Sequence, residues 1–285
     1  MKIILSRKGL DSSAGGRPSP ILKEFSIFSI PIPTKDKDTP HRYSDVIING
    51  LNAADMLSVV GAKNLSANTP CHFDPLLNGD IGLFGQAGNA QRELDNLGVG
   101  EGDLFLFFGW FRDFRTNKRK DYHHIFGWLM VDQVIRGSNQ IREFCDASDL
   151  DHPHASRNDD RYRYNTLFVS RKKNMLNVLD LDLRGHGLFA KTNNTLILTE
   201  LGNTRSNWLL PDKFFSPLSN PNLFESRLKW SSKFSNKLKC AGYGQEFVMD
   251  AEKNPTAKEW VRDILLNSEI LEEKKHERLS VCNGH

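Results

Sequence analysis

The sequence predicts an α+β fold, a single globular domain whose β-rich middle is flanked by short helices. The chain of 285 residues is 39% hydrophobic, which is enough to bury one large core. Its middle contains two segments rich in aromatic and β-branched residues, 103–111 and 124–135, and such residues favour strands. Helical segments with capping residues lie on both sides. We expect the domain to cover residues 1–267 and a charged, partly frayed tail to cover 268–285.

The predicted elements before this middle are short. A buried strand over 2–5 leads into a loop over 6–20 that is rich in Gly, Ser and Pro. Residues 25–32 begin with alternating apolar and polar side chains and are then interrupted by prolines, which is typical of an edge strand. Helices are predicted over 52–60, where an Asn is the cap, and over 91–97, and a glycine follows each of them.

The middle predicts a β-hairpin, and further strands and one helix follow it. The two aromatic segments are separated by a long charged connection, 112–123, which we expect to project from the hairpin. Pro255 opens an amphipathic helix with Trp260 and Ile264 on its apolar face. The other predicted strands cover 165–170, 195–199 and 246–250.

Charge and composition exclude several classes of protein. Lys and Arg total 38 against 35 for Asp and Glu, so neither a uniformly basic nucleic-acid coat nor an acidic disordered chain fits. Aromatic residues make up 10% of the chain, which also excludes intrinsic disorder. No apolar run approaches the roughly 20 residues of a membrane helix and no signal peptide is evident, so we expect a cytoplasmic protein without membrane contact.

The four cysteines are far apart, which favours free thiols over disulfides or structural zinc.

The loop over 6–20 has the composition of an anion-binding segment. Glycines let backbone N–H groups approach a phosphate, hydroxyls donate hydrogen bonds and cations supply charge, although the spacing is not that of a Walker A loop. Asp11 stands out because a carboxylate beside a phosphate is unfavourable unless it has chemical work or a basic partner. The alternative is an ordered turn in which Asp11 caps its own backbone. The candidate phosphate-binding residues are Arg7, Lys8, Ser12, Ser13, Gly15 and Gly16.

The motifs CHFDP and FGQAGNAQREL form a second candidate site. His72 and Asp74 are close in sequence and suit proton transfer, while the amides of Gln86 and Gln91 suit recognition of base edges. The alternative is that Asp74 begins a turn and that His72 is a half-buried structural residue.

The motif DHPH contributes His152 and His154. Two histidines at this spacing can ligate a metal, but no third ligand follows at a recognisable spacing, so the sequence predicts no metal site. Neighbouring arginines and tyrosines, among them Arg163 and Tyr164, favour contacts with phosphate or sugar. A solvated loop is the alternative.

The late motif YGQEF places Gln245 and Glu246 at the start of a short apolar strand. A carboxylate at the mouth of a strand is a natural general base or a stabiliser of positive charge. The alternative is a glutamate that faces solvent or pairs with an arginine.

Three basic clusters interrupt the balanced charge of the chain, over 112–120, 157–173 and 227–239. Aromatic residues are interleaved with the cations, and this combination suits attraction of phosphates and stacking of bases. Arg112 is the candidate contact in the first cluster. A charge run is also the ordinary composition of a solvated face, but three clusters together favour a nucleic-acid partner.

The aromatic strands contain the motifs GDLFLFF and IFGWLMV, which resemble those of the small β-barrels of the PUA and EVE type that read nucleic acids. A barrel-like middle is therefore one expectation. A Gly-Asp turn before a buried strand occurs in any β-barrel, so a purely structural role is the alternative.

Several motifs occur together and in order over nearly the whole chain: SRKGLDSSAGG, HFDP, FGQAGNAQ, GDLFLFFGWFR, HHIFGWL, DHPH, NTLFVS and GQEFVMD. With these motifs the chain resembles the third of the nucleotide-modification-associated domain families, found in bacteria and phages. The first motif and GQEF are the specific ones. Two positions depart from the family pattern, because Leu76 stands where a second Asp is expected and Glu93 where a His is expected. Neither position is given a catalytic role.

The resemblance implies a role in installing or countering hypermodified DNA bases. Among enzymes, a DNA glycosylase fits best, because cleavage of an N-glycosidic bond needs an extruded nucleotide and carboxylates but no cofactor. We expect an enzyme that removes a bulky modified base, hydroxymethylated or glucosylated, from double-stranded phage DNA and leaves an abasic site as an antiviral defence. Asp11 or Glu246 is the expected catalytic carboxylate, and Asp74 is the next candidate. Gln86, Gln91 and Gln245 are the expected base readers.

Two other classes of function stay open. A base-modifying transferase requires a small donor, which would co-purify with the protein. A non-catalytic reader binds modified DNA without breaking it and is expected to present an aromatic cage around Trp110 and Trp128. Convergence of Asp11 and Glu246 on one cleft favours the enzyme.

Overall fold

The computed structural model describes residues 1–156, 162–171, 176–215, 229–231, 234–240 and 246–271. The helices are α1 (Ala53–Val60), α2 (Gly88–Asn96), α3 (Ser138–Ser148) and α4 (Thr256–Leu266). The strands are β1 (Lys2–Arg7), β2 (Ser19–Ile21), β3 (Ile32–Pro33), β4 (Ile47–Ile48), β5 (Leu51–Asn52), β6 (Cys71–His72), β7 (Ile81–Gln86), β8 (Leu104–Asp113), β9 (Asp121–Met130), β10 (Gln133–Arg136), β11 (Thr166–Arg171), β12 (His186–Leu188), β13 (Asn207–Leu209), β14 (Lys229–Ser231), β15 (Phe234–Lys239) and β16 (Glu246–Asp250).

A six-stranded sheet forms the centre of the fold. Its strands follow the order β12, β9, β8, β1 and β16, and β2 pairs with the far end of β8. β1 is parallel to β8 and antiparallel to β16, whereas β8 and β9 form the predicted hairpin. β1 and β8 are buried over most of their length, because their runs of Ile, Leu and Phe are covered on both faces. β1 is thus held along both of its edges.

A three-stranded sheet in the order β10, β11 and β7 packs beside the central sheet. Successive side chains of a strand point to opposite faces, and both faces of this sheet are apolar. On one face, Phe84 and Phe168 contact Phe105 of the central sheet, with ring centroids 4.9 Å apart in each pair. On the other face, Leu83 packs with Ile141 of α3. The packing brings the end of β7 close to the end of β1.

The predicted α+β class is confirmed. The described strands form open sheets, with β12 and β16 at the edges of the central sheet, and none of these sheets closes into a barrel. The projecting connection is shorter than predicted, because the hairpin ladder continues outward to Arg112 and Asp121. These two side chains form a bidentate ion pair with distances of 2.6 and 2.9 Å across the hairpin.

The predicted helix signals around α1 and α4 are confirmed. Oδ1 of Asn52 accepts a hydrogen bond from the backbone N–H of Ala54, and Gly61 ends α1 in the left-handed conformation with φ at 68°. α4 buries Trp260 and Ile264 as predicted, and α2 begins a few residues before its predicted start. No helix among the described residues is long and apolar enough to cross a membrane.

Three of the predicted strands are confirmed, as β1, β11 and β16. Two predicted strands are wrong. Segment 195–199 begins in a 3-10 turn, because the side chain of Asn193 accepts hydrogen bonds from two following backbone N–H groups. Segment 25–32 pairs through isolated bridges and contributes only its last residue to β3, and Phe25 has a left-handed backbone with φ at 68°.

Cys71, Cys145 and Cys240 are buried free thiols, as predicted. Burial raises the pKa of Cys71 to about 12 and that of Cys145 to about 11. These thiols are therefore protonated core groups at neutral pH. Cys282 lies outside the described residues.

The predicted tail begins just after α4. Residues 268–271 continue along the core, and Ile270 forms a bridge with Phe189 at the end of β12. The remainder, 272–285, lies outside the described residues.

Candidate functional site

A cleft of about 910 Å³ opens where β1 and β7 end. Its wall contains the residues that follow β1, the turn between β7 and α2, the first residues of α2 and the segment 162–164. Four of the described lining residues are cations, and two carry carboxylates. The polar lining residues include Arg7, Lys8, Asp11, Ser13, Thr34, His72, Asp74, Gln86, Asn89, Arg92, His154, Tyr162, Arg163 and Tyr164.

Glu246 binds two side chains of this lining. Its Oε1 accepts hydrogen bonds from Nε2 of Gln86 at 2.6 Å and from Nζ of Lys8 at 3.3 Å. The pairing of β16 with β1 brings Glu246 opposite Ser6, next to the end of β1. Glu246 is 5% exposed, and its Oε2 is buried without a hydrogen-bond partner among the described residues. Since burial of an unpaired carboxylate oxygen costs free energy, this oxygen is a candidate for contact with a ligand.

Asp11 lines the cleft and also organises its own loop. Its Oδ1 accepts hydrogen bonds from the backbone N–H groups of Ser13 and Ala14, at 2.7 and 2.8 Å, and from the Ser13 hydroxyl at 2.7 Å. This is the capped turn that the sequence left open as the alternative. Asp11 and Glu246 therefore belong to the same region, one in the wall and the other bound to it.

Asp74 is a buried carboxylate held by two histidines and one backbone N–H group. Its Oδ1 accepts a hydrogen bond from the N–H of Gly85 at 2.9 Å and lies 3.2 Å from Nε2 of His152, while Oδ2 lies 3.6 Å from Nε2 of His72. Burial alone raises the pKa of Asp74, but the interactions with His152 and His72 outweigh burial and hold this pKa well below its usual value. Asp74 is thus ionised at neutral pH.

Hydrogen bonds fix the tautomers of two histidines beside Asp74. His152 accepts at Nδ1 from the backbone N–H of His154, at 3.2 Å, so its Nε2 carries the proton that it donates to Asp74. Nδ1 of His154 lies 2.6 Å from Oδ1 of Asn165, whose amide nitrogen donates to the carbonyl oxygen of His154 at 3.0 Å. Because a carbonyl oxygen only accepts, the amide orientation is determined, and Nδ1 of His154 is the donor. The lone pair of His154 is therefore on Nε2.

His72, Asp74 and His154 form a group that can hold a metal ion. One ligand atom from each lies within 4.8 Å of the other two, and all three side chains line the cleft. Gly85 makes this approach possible, because a Cβ at this position would stand 2.2 Å from Cδ2 of His154. His152 lies behind Asp74 and is buried. Sequence spacing did not reveal this group, because the fold unites segments that are far apart in the chain.

Several predicted site residues lie outside the cleft lining. The Ser12 hydroxyl accepts a hydrogen bond from Arg205, and Arg112 pairs with Asp121. The amide of the buried Gln91 donates to Asp95 within α2. Gly15 and Gly16 have φ angles of +87° and +65° and serve the turn geometry of the loop. Gln245 lies outside the described residues.

Trp110 and Trp128 have different environments. Trp128 is fully buried, and its ring packs 5.1 Å from the ring of Phe189. Trp110 is half-buried beneath the guanidinium group of Arg205, 4.0 Å from the ring centroid. Trp128 is thus a core residue, and the aromatic cage expected of a reader is not formed by this pair.

The structure adds Arg92 to the candidate site and places Tyr164 in the same cleft wall. Arg92 is an exposed cation on the first turns of α2, and the backbone at the start of this helix also lines the cleft. Tyr164 is 53% exposed, with a left-handed backbone at φ 60°, an uncommon conformation for a bulky residue. The sequence indicated Tyr164 through its basic and aromatic surroundings, but Arg92 was not predicted.

The family model described as nucleotide modification associated domain 3 matches residues 2–250 of the chain. This span extends from β1 to β16 and includes the described lining of the cleft. Its first and last motifs meet in space through Lys8 and Glu246. Neither the curated proteins nor the solved structures give a match to the chain.

Proposed function

Since the chain belongs to the nucleotide modification associated domain 3 family and has a role related to nucleotide modification, we propose that it is a DNA glycosylase for modified bases. It removes a hydroxymethylated or glucosylated base from double-stranded phage DNA, and the abasic site that remains disables the phage genome. The observation that carries the proposal is the cleft itself, which combines a cationic wall with the buried Lys8–Glu246–Gln86 group.

The size and charge of the cleft suit one extruded nucleotide. Pockets of about 300–1,000 Å³ hold ligands of this class, and the cleft has about 910 Å³. Arg7, Arg92 and Arg163 provide positive charge for the phosphates that flank the nucleotide, and the start of α2 adds backbone N–H groups. Extrusion of a base costs a few kcal/mol, which stacking on the exposed ring of Tyr164 helps to offset.

Three carboxylates of this region are candidates for the chemistry. In the hydrolysis, water adds to C1′ of the sugar as the bond to the base nitrogen breaks, and the base leaves with a proton. A carboxylate stabilises the positive charge on the sugar and orients the water. Glu246 ranks first, because Gln86 and Lys8 hold one of its oxygens and the other has no partner among the described residues. Asp11 ranks second and Asp74 third.

Alkali-induced strand breakage tests the proposal. The purified full chain is incubated with DNA that contains hydroxymethylcytosine or glucosylated hydroxymethylcytosine, and alkali then cleaves the strand at abasic sites. We expect breaks in at least one modified DNA and a loss of at least about 100-fold in rate for Glu246→Gln. Glu259→Gln, on the exposed face of α4, is the matched control and retains the full rate.

Several outcomes would contradict this function. Absence of breaks in every modified DNA, together with tight binding to it, would identify a reader. A mass increase of the DNA that depends on an added nucleotide sugar would identify a transferase. Full activity of Glu246→Gln would remove Glu246 from the catalytic role.

A further inference from the structure

The group of His72, Asp74 and His154 at the cleft has the chemistry of a metal centre. We propose that these three side chains bind one divalent ion of the first transition series, of the Zn²⁺ class. The inference does not depend on which reaction the cleft performs, since it concerns what the site binds.

The spacing of the ligand atoms is close to that of a metal site. The three atoms lie within 4.8 Å of one another, and Oδ2 of Asp74 is 3.6 Å from Nε2 of His72. Ligand atoms around Zn²⁺ lie about 3 to 3.5 Å apart, because each is about 2.0–2.2 Å from the ion. Small side-chain movements are sufficient to reach this spacing, and His72 is the most exposed of the three ligands.

Supporting hydrogen bonds orient two of the three ligands. Asn165 accepts from Nδ1 of His154, so Nε2 is the nitrogen that we assign to the metal, and such a hydrogen bond is commonly found behind metal-bound histidines. Gly85 and His152 both donate to Oδ1 of Asp74, so Oδ2 is the oxygen that belongs to the ligand group. Asn165 is itself held by the hydroxyl of Ser138 at 2.9 Å.

Charge also favours a cation at this position. Asp74 is buried, and no Lys or Arg of the described chain lies within ion-pair distance of it, so its partners there are imidazoles and a backbone N–H group. Burial of a carboxylate is costly, and a divalent ion between Asp74 and the two imidazoles offsets this cost.

The donor set selects the class of ion. Two imidazole nitrogens and one carboxylate oxygen suit Zn²⁺, Fe²⁺ or Co²⁺, whereas Mg²⁺ and Ca²⁺ prefer oxygen donors alone. Three protein ligands leave further coordination positions, as in catalytic metal sites. Because His72, Asp74 and His154 all line the cleft, these positions face the space that we assign to the nucleotide.

Metal binding to the full chain tests the inference directly. The protein is stripped with a chelator and titrated with Co²⁺, whose visible absorption reports coordination, and Zn²⁺ binding is measured by calorimetry. We expect about one ion per chain and an increase in the unfolding temperature with Zn²⁺. His72→Gln and Asp74→Asn should weaken binding by more than about 100-fold, because even a supporting partner is worth about 10–100-fold.

Two controls separate this site from other effects. His41→Gln replaces a half-buried histidine outside the group and should retain full affinity. His72→Gln must keep the unfolding temperature of the metal-free wild type, which shows that the variant is folded. The inference is overturned if the wild type binds neither Co²⁺ nor Zn²⁺, or if folded His72→Gln and Asp74→Asn bind as tightly as the wild type. Failure of the glycosylase test leaves these binding results unaffected.

Discussion

Gln86 donates a hydrogen bond from Nε2 to Oε1 of Glu246 at 2.6 Å, although the two residues are 160 positions apart in the chain. Gln86 is the last residue of β7 and Glu246 is the first residue of β16, so this bond joins the small sheet to the central sheet. Both side chains are buried, and hydrogen bonds to buried charged groups are stronger than those between neutral groups.

Removal of either partner should therefore destabilise the fold. Hydrogen bonds to charged groups contribute about 1.5–3 kcal/mol, and we expect a coupling free energy in this range between Gln86→Met and Glu246→Met. Unfolding in urea of the wild type, the two single variants and the double variant measures it. Single-variant effects that add within about 0.5 kcal/mol would show that the two side chains are independent.

Acid should destabilise the protein through His124. Burial lowers the pKa of His124 to about 4. The two ring nitrogens of His124 form hydrogen bonds with the carbonyl oxygen of Ile125 and the hydroxyl of Thr192. As the pH falls below about 6.5 the unfolded chain takes up a proton at this position, whereas the folded chain does so only near pH 4. Since each pH unit between these values contributes about 1.4 kcal/mol, the loss reaches about 3 kcal/mol at pH 4.

Urea unfolding of the wild type and His124→Gln between pH 4 and 8 tests this linkage. The variant should lose stability less steeply below pH 6.5, and above pH 7.5 the two proteins should show parallel pH dependence. An equal slope for both proteins in acid would contradict the prediction.

Gly85→Ala should disturb the histidine group without any strain in the backbone. The added Cβ would stand 2.2 Å from Cδ2 of His154, whose ring is buried and bonded to Asn165. Overpacking of this kind costs about 1–3 kcal/mol, measured by thermal or urea unfolding. Gly100→Ala is the matched control, because no atom of the described residues lies within 4 Å of its added Cβ. Equal stabilities of the two variants would show that His154 moves away at no cost.

The cationic rim should make DNA binding depend on salt. Arg92 and Arg163 are exposed lining residues of the cleft, and replacement of either by Gln should weaken binding to all sequences alike. The slope of log affinity against log salt concentration should fall by about one for each phosphate that the variant no longer neutralises, as measured by fluorescence anisotropy. Arg262→Gln on α4 should leave the slope unchanged. If both cleft variants keep the wild-type slope, the DNA does not bind at this cleft.

The sequence predicted the local features whose causes are local. Asn52 and Gly61 delimit α1 through hydrogen bonds and backbone geometry that involve only neighbouring residues. β7 and α3 were not predicted. β7 has the sequence IGLFGQ, in which two glycines are typical of a turn, and its strand conformation comes from pairing with β11. α3 carries few apolar residues, and its helix is stabilised by packing of Ile141 and Cys145 on that sheet.

The candidate site was also predicted only in part, because its geometry depends on contacts between distant segments of the chain. Motif composition indicated Asp74, His154 and Glu246 one by one, but their partners are set by long-range pairing of strands. The pairing of β7 with β11 brings Gln86 opposite Thr166, next to Asn165, and no spacing in the sequence expresses this. Which ring nitrogen of His154 carries the proton depends on Asn165, so the sequence could not predict this either.

The position of β1 between β8 and β16 has a consequence for how the protein is made. Lys8 and Glu246 are 238 residues apart, so the ribosome must release almost the whole described chain before the second edge of β1 acquires its partner. Until then an apolar strand with an open edge is a target for aggregation, and chaperone capture of β1 is expected during synthesis. Any fragment that ends before β16 leaves this edge of β1 open, so expression of such fragments should give insoluble protein.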